Sequence, residues 1–178
     1  NVTISGIKNL KKFFVPISPA DESNVFGANY YLLEKYYLKN KISLTNIKPI
    51  KSPYLGISYT KPLKAEIYKI CGDVKIKKEN NSYIAQKLIE GKIIGRFSER
   101  AEFGQRALGN RSILASPSEP YIIEKINHTI KSRDFWMPFA LSILDKYEEI
   151  YLKKNKFAKS PFMTTCYQLN KKYSRALH

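Results

Sequence analysis

Cysteine and histidine are nearly absent from this chain of 178 residues, which holds two of each. Cys71 and Cys166 lie far apart and outside any metal-ligand spacing. They therefore support neither a disulfide framework nor a zinc module, and free thiols in a reducing compartment are expected. His128 and His178 are too few for a self-contained metal site. No apolar run reaches the roughly 18 to 20 residues that a membrane helix needs. No secretory signal pattern opens at Asn1. A cytoplasmic protein with no membrane partner is the expectation. The residues offer no Ser-His-Asp or Cys-His arrangement, no P-loop ending in Gly-Lys-Ser/Thr, no internal repeat and no low-complexity segment.

Acidic residues are also scarce, with 15 Asp and Glu against 31 Lys and Arg, for a net charge of +16. Such a balance raises nucleic acid as a partner. Lysine, isoleucine, asparagine and tyrosine are abundant throughout, however, which marks a chain-wide bias. The pairs Lys11-Lys12, Lys77-Lys78, Lys153-Lys154 and Lys171-Lys172 read as solvated faces, and no basic run carries regular aromatic interleaving. These features disfavour nucleic acid as the main ligand and leave it as the competing reading. With 43% hydrophobic and 13% aromatic residues the chain can build a core. Its length fits one ordinary domain, or one domain plus part of another.

The hydrophobic pattern predicts an alternation of short elements. Residues 13–16 read as a short buried strand, followed by a loop over 17–23. A helix is expected over 24–38, capped by Ser23 or Asn24, with Gly27-Ala28 allowing close packing. Residues 40–63 contain Pro49, Pro53, Gly56 and Pro62 without a sustained period, as in a linker. A weak helix or turn comes next over 64–70, and a clearer helix over 81–90 is stopped by Gly91. Strands are expected at 92–97 and 112–115, flanking an arginine-rich loop. Ser118-Glu119-Pro120 opens another helix, with Ile122, Ile123, Ile126 and Ile130 as one core-facing stripe. Lys131 and Arg133 would emerge at its end, near the loop. Residues 139–143 and 162–169 complete the strand candidates.

Arginine is the rare cation here, and five of the six arginines fall between Arg96 and Arg133. A guanidinium grips carboxylate or phosphate oxygens through a planar fork, which an ammonium cannot do. Gly104 and Gly109 among these arginines let the backbone approach a ligand. Arg100, Arg106, Arg111, Lys131 and Arg133 face few acids nearby, namely Glu99, Glu102 and Asp134. The pattern points to an oxyanion-binding loop, most naturally for phosphate. A plain surface helical turn broken by glycines is the alternative.

The stretch Arg100-Ala-Glu-Phe-Gly-Gln-Arg-Ala-Leu-Gly-Asn-Arg-Ser-Ile-Leu-Ala115 resembles the signature of the O-carbamoyltransferase family of nodulation and antibiotic-tailoring enzymes. Asn127-His-Thr-Ile-Lys-Ser-Arg-Asp-Phe-Trp-Met-Pro-Phe-Ala140 is similar to the next block of that family, and Ser160-Pro-Phe-Met163 to a third. Asn1-Val2 and Pro19-Ala-Asp-Glu-Ser-Asn-Val-Phe-Gly-Ala28 resemble the end of the family's first domain.

The resemblance implies an α/β (α+β) fold. Residues 1–45 would end an actin/hexokinase-like carbamoyl-transfer domain, 46–63 would be a linker, and 64–178 would be most of a YrdC-like domain. That second domain would carry a twisted mixed sheet with flanking helices. It would form carbamoyl-adenylate from carbamoyl phosphate and ATP, for transfer to a hydroxyl of a sugar or other small acceptor. A YrdC-like basic module binding RNA is the alternative. By position Arg106 and Lys131 become the catalytic ligands of carbamoyl phosphate. Arg100, Asn110, Arg111, Ser112 and Arg133 become substrate-binding. Asp21 becomes a ligand of a divalent metal, iron or magnesium, whose paired histidines would precede Asn1. A homodimer is compatible with the resemblance. Met137 stands where many members have arginine, so one implied phosphate ligand is either missing or replaced by Arg133. Glu99, Gln105 and Leu141 depart from a usual glycine, proline and proline. Later family motifs would lie beyond His178, so the 178 residues alone are expected to be inactive.

Overall fold

A computed structural model describes residues 2–58, 64–72, 74–153 and 161–176. Asn1, Lys154, Ser160, His178 and positions 59–63 of the expected linker lie outside the described residues. The described residues are α+β, with helices of 4 to 16 residues and a two-stranded antiparallel sheet. No mixed sheet of the expected size occurs among the described residues.

Helix α1 covers Val2–Ser5 and helix α2 Asn24–Lys39. A 3-10 turn, Asp21–Ser23, leads directly into α2 and puts Asp21 and Glu22 at the positive end of the helix dipole. Ser23 stands at the N-cap position, as expected. Its hydroxyl, however, donates to the Ser18 carbonyl and accepts no helix N–H. At the other end Lys41 adopts a left-handed φ of 53°, and the chain leaves the helix there. Among the described residues no heavy atom outside its own helix lies within 4 Å of where a Cβ on Gly27 would sit, so the anticipated close packing is not seen there. Instead α2 docks through Phe26, whose ring centroid lies 4.5 Å from that of Phe103.

Helices α3, Lys64–Cys71, and α4, Asn81–Ile89, come next. Helix α4 is capped by Asn80, whose side chain accepts from the Tyr83 amide at 2.9 Å. It ends at Gly91, whose φ of 73° suits a residue without a Cβ. Strands β1, Ile94–Phe97, and β2, Arg111–Leu114, pair with Phe97 opposite Arg111 and Ile94 opposite Leu114. The Ser98 amide donates to the Asn110 carbonyl at 2.9 Å and closes the mouth of the intervening loop.

Helix α5, Tyr121–Ile126, buries Ile122 and Ile126 to 4% exposure each. Beyond it the backbone widens into a π turn, Asn127–Lys131. The wider turn shifts the helical phase of residues beyond Ile126, so Ile130 leaves the expected stripe and is 47% exposed. Helix α6 covers Glu148–Tyr151.

The remaining strand candidates are not strands. Residues 13–16 and 139–143 lie in no ladder, and Phe14 is 85% exposed. Residues 162–169 contribute a single bridge, Leu169 to Leu152. A short apolar run forms a strand only where a partner supplies the ladder, and apolarity carries no information about that partner.

Candidate functional site

The loop over residues 98–110 is closed by its own side chains. Glu102 turns inward, and its Oε1 accepts the backbone N–H groups of Leu108 at 2.7 Å, Asn110 at 2.7 Å and Arg111 at 3.2 Å. Burial pushes this carboxyl upward, but the backbone donors outweigh it and hold the group below the ordinary carboxylate range. A depressed carboxylate contributes stability above its unfolded pKa and loses it as pH falls through the folded value, so acid loosens this loop. Gly104 and Gly109 take φ values of 101° and 109°, which let the backbone fold around the carboxylate.

Other contacts fasten the loop from outside. The Phe103 amide donates to the Pro53 carbonyl at 2.7 Å, and the Gly56 amide to the Ala101 carbonyl at 3.0 Å. The Tyr54 hydroxyl donates to the Leu108 carbonyl at 2.9 Å. A Cβ on Gly56 would sit 2.7 Å from the Cβ of Ala101, so only glycine permits this approach. Residues 53–56 are thus bound along the loop, although they carry no regular structure. On its opposite side Gly104 presses against buried Ser18, where an added Cβ would meet the Ser18 Cβ at 3.0 Å and its Oγ at 3.1 Å. Gly104→Ala combines that crowding with a backbone region L-residues rarely occupy, and is expected to cost about 1–3 kcal/mol. Urea denaturation of the full-length protein measures it.

The predicted site residues divide sharply. Arg111 stacks over the Phe97 ring at 3.6 Å and donates to the carbonyls of Ser98 and Glu99, the latter at 3.0 Å. Its fork is committed to the base of the loop. Arg100 donates to the Gly56 carbonyl at 3.3 Å. Asn110 is buried at 7% exposure, and its amide donates to the Arg100 carbonyl at 2.8 Å. Ser112 accepts from the Gly109 amide at 2.9 Å. Arg133 donates through Nε to Asn127 Oδ1 at 2.7 Å and lies over the Phe139 ring at 4.5 Å.

Arg106 differs from these: it is exposed and has no hydrogen-bond or ion-pair partner among the described residues. It stands at the edge of a pocket of about 180 Å³, together with Ser18, Phe103, Gly104, Leu108 and Thr164. Lys131, exposed at the end of the π turn, does not line this pocket. Asp21 is exposed at the start of its 3-10 turn. Among the described residues no group of three or more His, Cys, Asp or Glu is placed to hold a metal ion. Both cysteines are free and exposed. Among the described residues no helix is long and apolar enough to cross a membrane.

Sequence reasoning did not single out Glu102, Tyr54 or Ser18. The acid was visible inside the glycine-containing loop, but its inward orientation was not. The other two act across distant parts of the chain and carry no local signal.

These features define an α+β chain in which Arg106, lining a small pocket, has no hydrogen-bond or ion-pair partner among the described residues. Residues 85–178, more than half the chain, match the family model described as carbamoyltransferase C-terminus. The chain belongs to that family. It is 33% identical to an uncharacterized protein of Methanocaldococcus jannaschii over 163 residues, covering 88% of this chain and 26% of the relative. Nodulation protein NolNO of Sinorhizobium fredii is 45% identical over 65 residues, 36% of this chain and 10% of that protein. Nodulation protein NolO of Bradyrhizobium diazoefficiens is 36% identical over 94 residues, 53% of this chain and 17% of that protein. The chain spans about a quarter of the Methanocaldococcus jannaschii relative's length.

Proposed function

We propose that this chain is the anion-binding part of an ATP-dependent O-carbamoyltransferase, with carbamoyl phosphate as the donor. The observation that carries this reading is Arg106, an uncommitted guanidinium at a pocket edge, within the segment that matches the carbamoyltransferase C-terminus. Its fork holds the phosphate oxygens and neutralises charge as phosphate leaves the carbamoyl group. Lys131 does not line the pocket, and its role as a second ligand of the same anion rests on the resemblance of residues 127–140 to the family's second block. Arg111, Asn110, Ser112 and Arg100 act differently: their hydrogen bonds shape the loop that presents Arg106. Arg133 is held by Asn127 and braces the segment that bears Lys131.

In this reading ATP is a co-substrate, and the activated carbamoyl group is carried as its adenylate. Residues 64–178 form most of the YrdC-like domain that makes it, residues 46–63 join the two parts, and residues 1–45 end an actin/hexokinase-like transfer domain. The acceptor is a hydroxyl compound. The test is carbamoyl-phosphate-dependent release of pyrophosphate from ATP by the full-length protein. Release that Arg106→Ala sharply lowers at subsaturating carbamoyl phosphate supports the reading. Steeply salt-dependent RNA binding, with neither pyrophosphate release nor carbamoyl-phosphate binding, would overturn it.

A further inference from the structure

We propose that Glu102 is a positioning residue for the anion site, an internal carboxylate that fills a nest of backbone N–H groups and thereby sets where Arg106 stands. The inference rests on the reading of Arg106 as a phosphate ligand. Three donors from residues 108, 110 and 111 converge on one oxygen, the first two at 2.7 Å. Three such N–H groups around one point are an oxyanion site in their own right. Here the occupant comes from the loop itself, so an incoming phosphate does not compete for the nest and meets the free guanidinium at the pocket edge.

Arg106 lies between the clamp's two ends, Glu102 and Leu108, in a stretch whose φ at Gly104 is positive. Gly104 packs against Ser18 and the Phe103 ring against Phe26. The Phe103 amide is held by Pro53 and the Leu108 carbonyl by Tyr54. The path between those points depends on the carboxylate drawing residues 108–111 inward. Removing it leaves three donors without their acceptor and frees the segment that carries Arg106.

The experiment compares wild type, Glu102→Ala and Glu102→Gln in the full-length protein. Carbamoyl-phosphate affinity is read by calorimetry, and backbone hydrogen exchange is read over residues 103–111. Glu102→Ala is expected to weaken carbamoyl phosphate roughly 10- to 100-fold, the range seen when a group that orients a ligating side chain is removed. The amides of Leu108, Asn110 and Arg111 should exchange at least about tenfold faster in that variant. Glu102→Gln keeps a neutral acceptor oxygen and should lie between the two. Added formate, a carboxylate small enough for the vacated nest, should restore part of the affinity of Glu102→Ala but leave wild type unchanged. A purely structural defect would not respond to formate.

Unchanged exchange at the three amides would show that there is no clamp. Faster exchange with wild-type affinity would show that the clamp does not position Arg106. If wild type itself binds no carbamoyl phosphate, the reading of Arg106 fails and this assignment fails with it, and the exchange data still decide whether the clamp exists.

Discussion

Arg106→Ala is expected to weaken carbamoyl-phosphate binding by the full-length protein roughly 10- to 150-fold. This corresponds to about 1.5–3 kcal/mol for loss of a charge-assisted hydrogen bond. The size comes from contrasts within one cluster. Arg111 and Arg133 already spend donors on loop carbonyls and on Asn127, so their removal would loosen structure before it touched a ligand. Arg106 has no such partner among the described residues, and its removal should leave the loop standing. Because Arg106 is exposed, water screens part of its attraction, and the upper end of the range is the ceiling. Arg106→Lys should recover only part of the loss, since an ammonium restores charge without the planar fork. Calorimetry with carbamoyl phosphate, alongside a thermal melt showing an intact fold, makes the measurement. Unchanged affinity would move the anion site elsewhere in the molecule.

Helices α2 and α4 and strands β1 and β2 were legible because each arises from local chemistry. Asn80 caps α4, Gly91 ends it, and apolar runs flank the glycine-containing loop. The features that stayed hidden depend on partners. Residues 13–16, 139–143 and 162–169 are as apolar as β1, yet none belongs to a strand ladder. The π turn after Ile126 moved Ile130 out of its stripe, and no residue type announces such a turn. Proline and glycine over 53–56 carried no sign that the backbone there is hydrogen-bonded to the loop. The division among the arginines was also invisible. Arg106 and Arg111 are chemically the same, and only the fold decides which fork meets carbonyls and which stays free.

Asn127→Ala is expected to lower the stability of the full-length protein by about 2–4 kcal/mol, the combined loss of several hydrogen bonds to a buried side chain. Asn127 is fully buried at 0% exposure. Its amide nitrogen donates to the carbonyls of Phe135 and Met137, both at 2.9 Å, while its oxygen accepts from Arg133. One side chain therefore ties the end of α5 to the segment over residues 133–137, across the left-handed Ser132 at φ 47°. Alanine leaves two carbonyls without their donor and removes the oxygen that holds Arg133. Asn127→Asp is the sharper test, because it keeps the shape and the contact to Arg133. It nevertheless puts a carboxylate oxygen where the amide nitrogen faced two carbonyls, so repulsion and burial of charge should make it no better than alanine. Denaturant midpoints compare the two variants, and carbamoyl-phosphate affinity reports whether Lys131 and Arg133 are disturbed with them. An aspartate variant as stable as wild type would show that the amide donors are not what holds this segment.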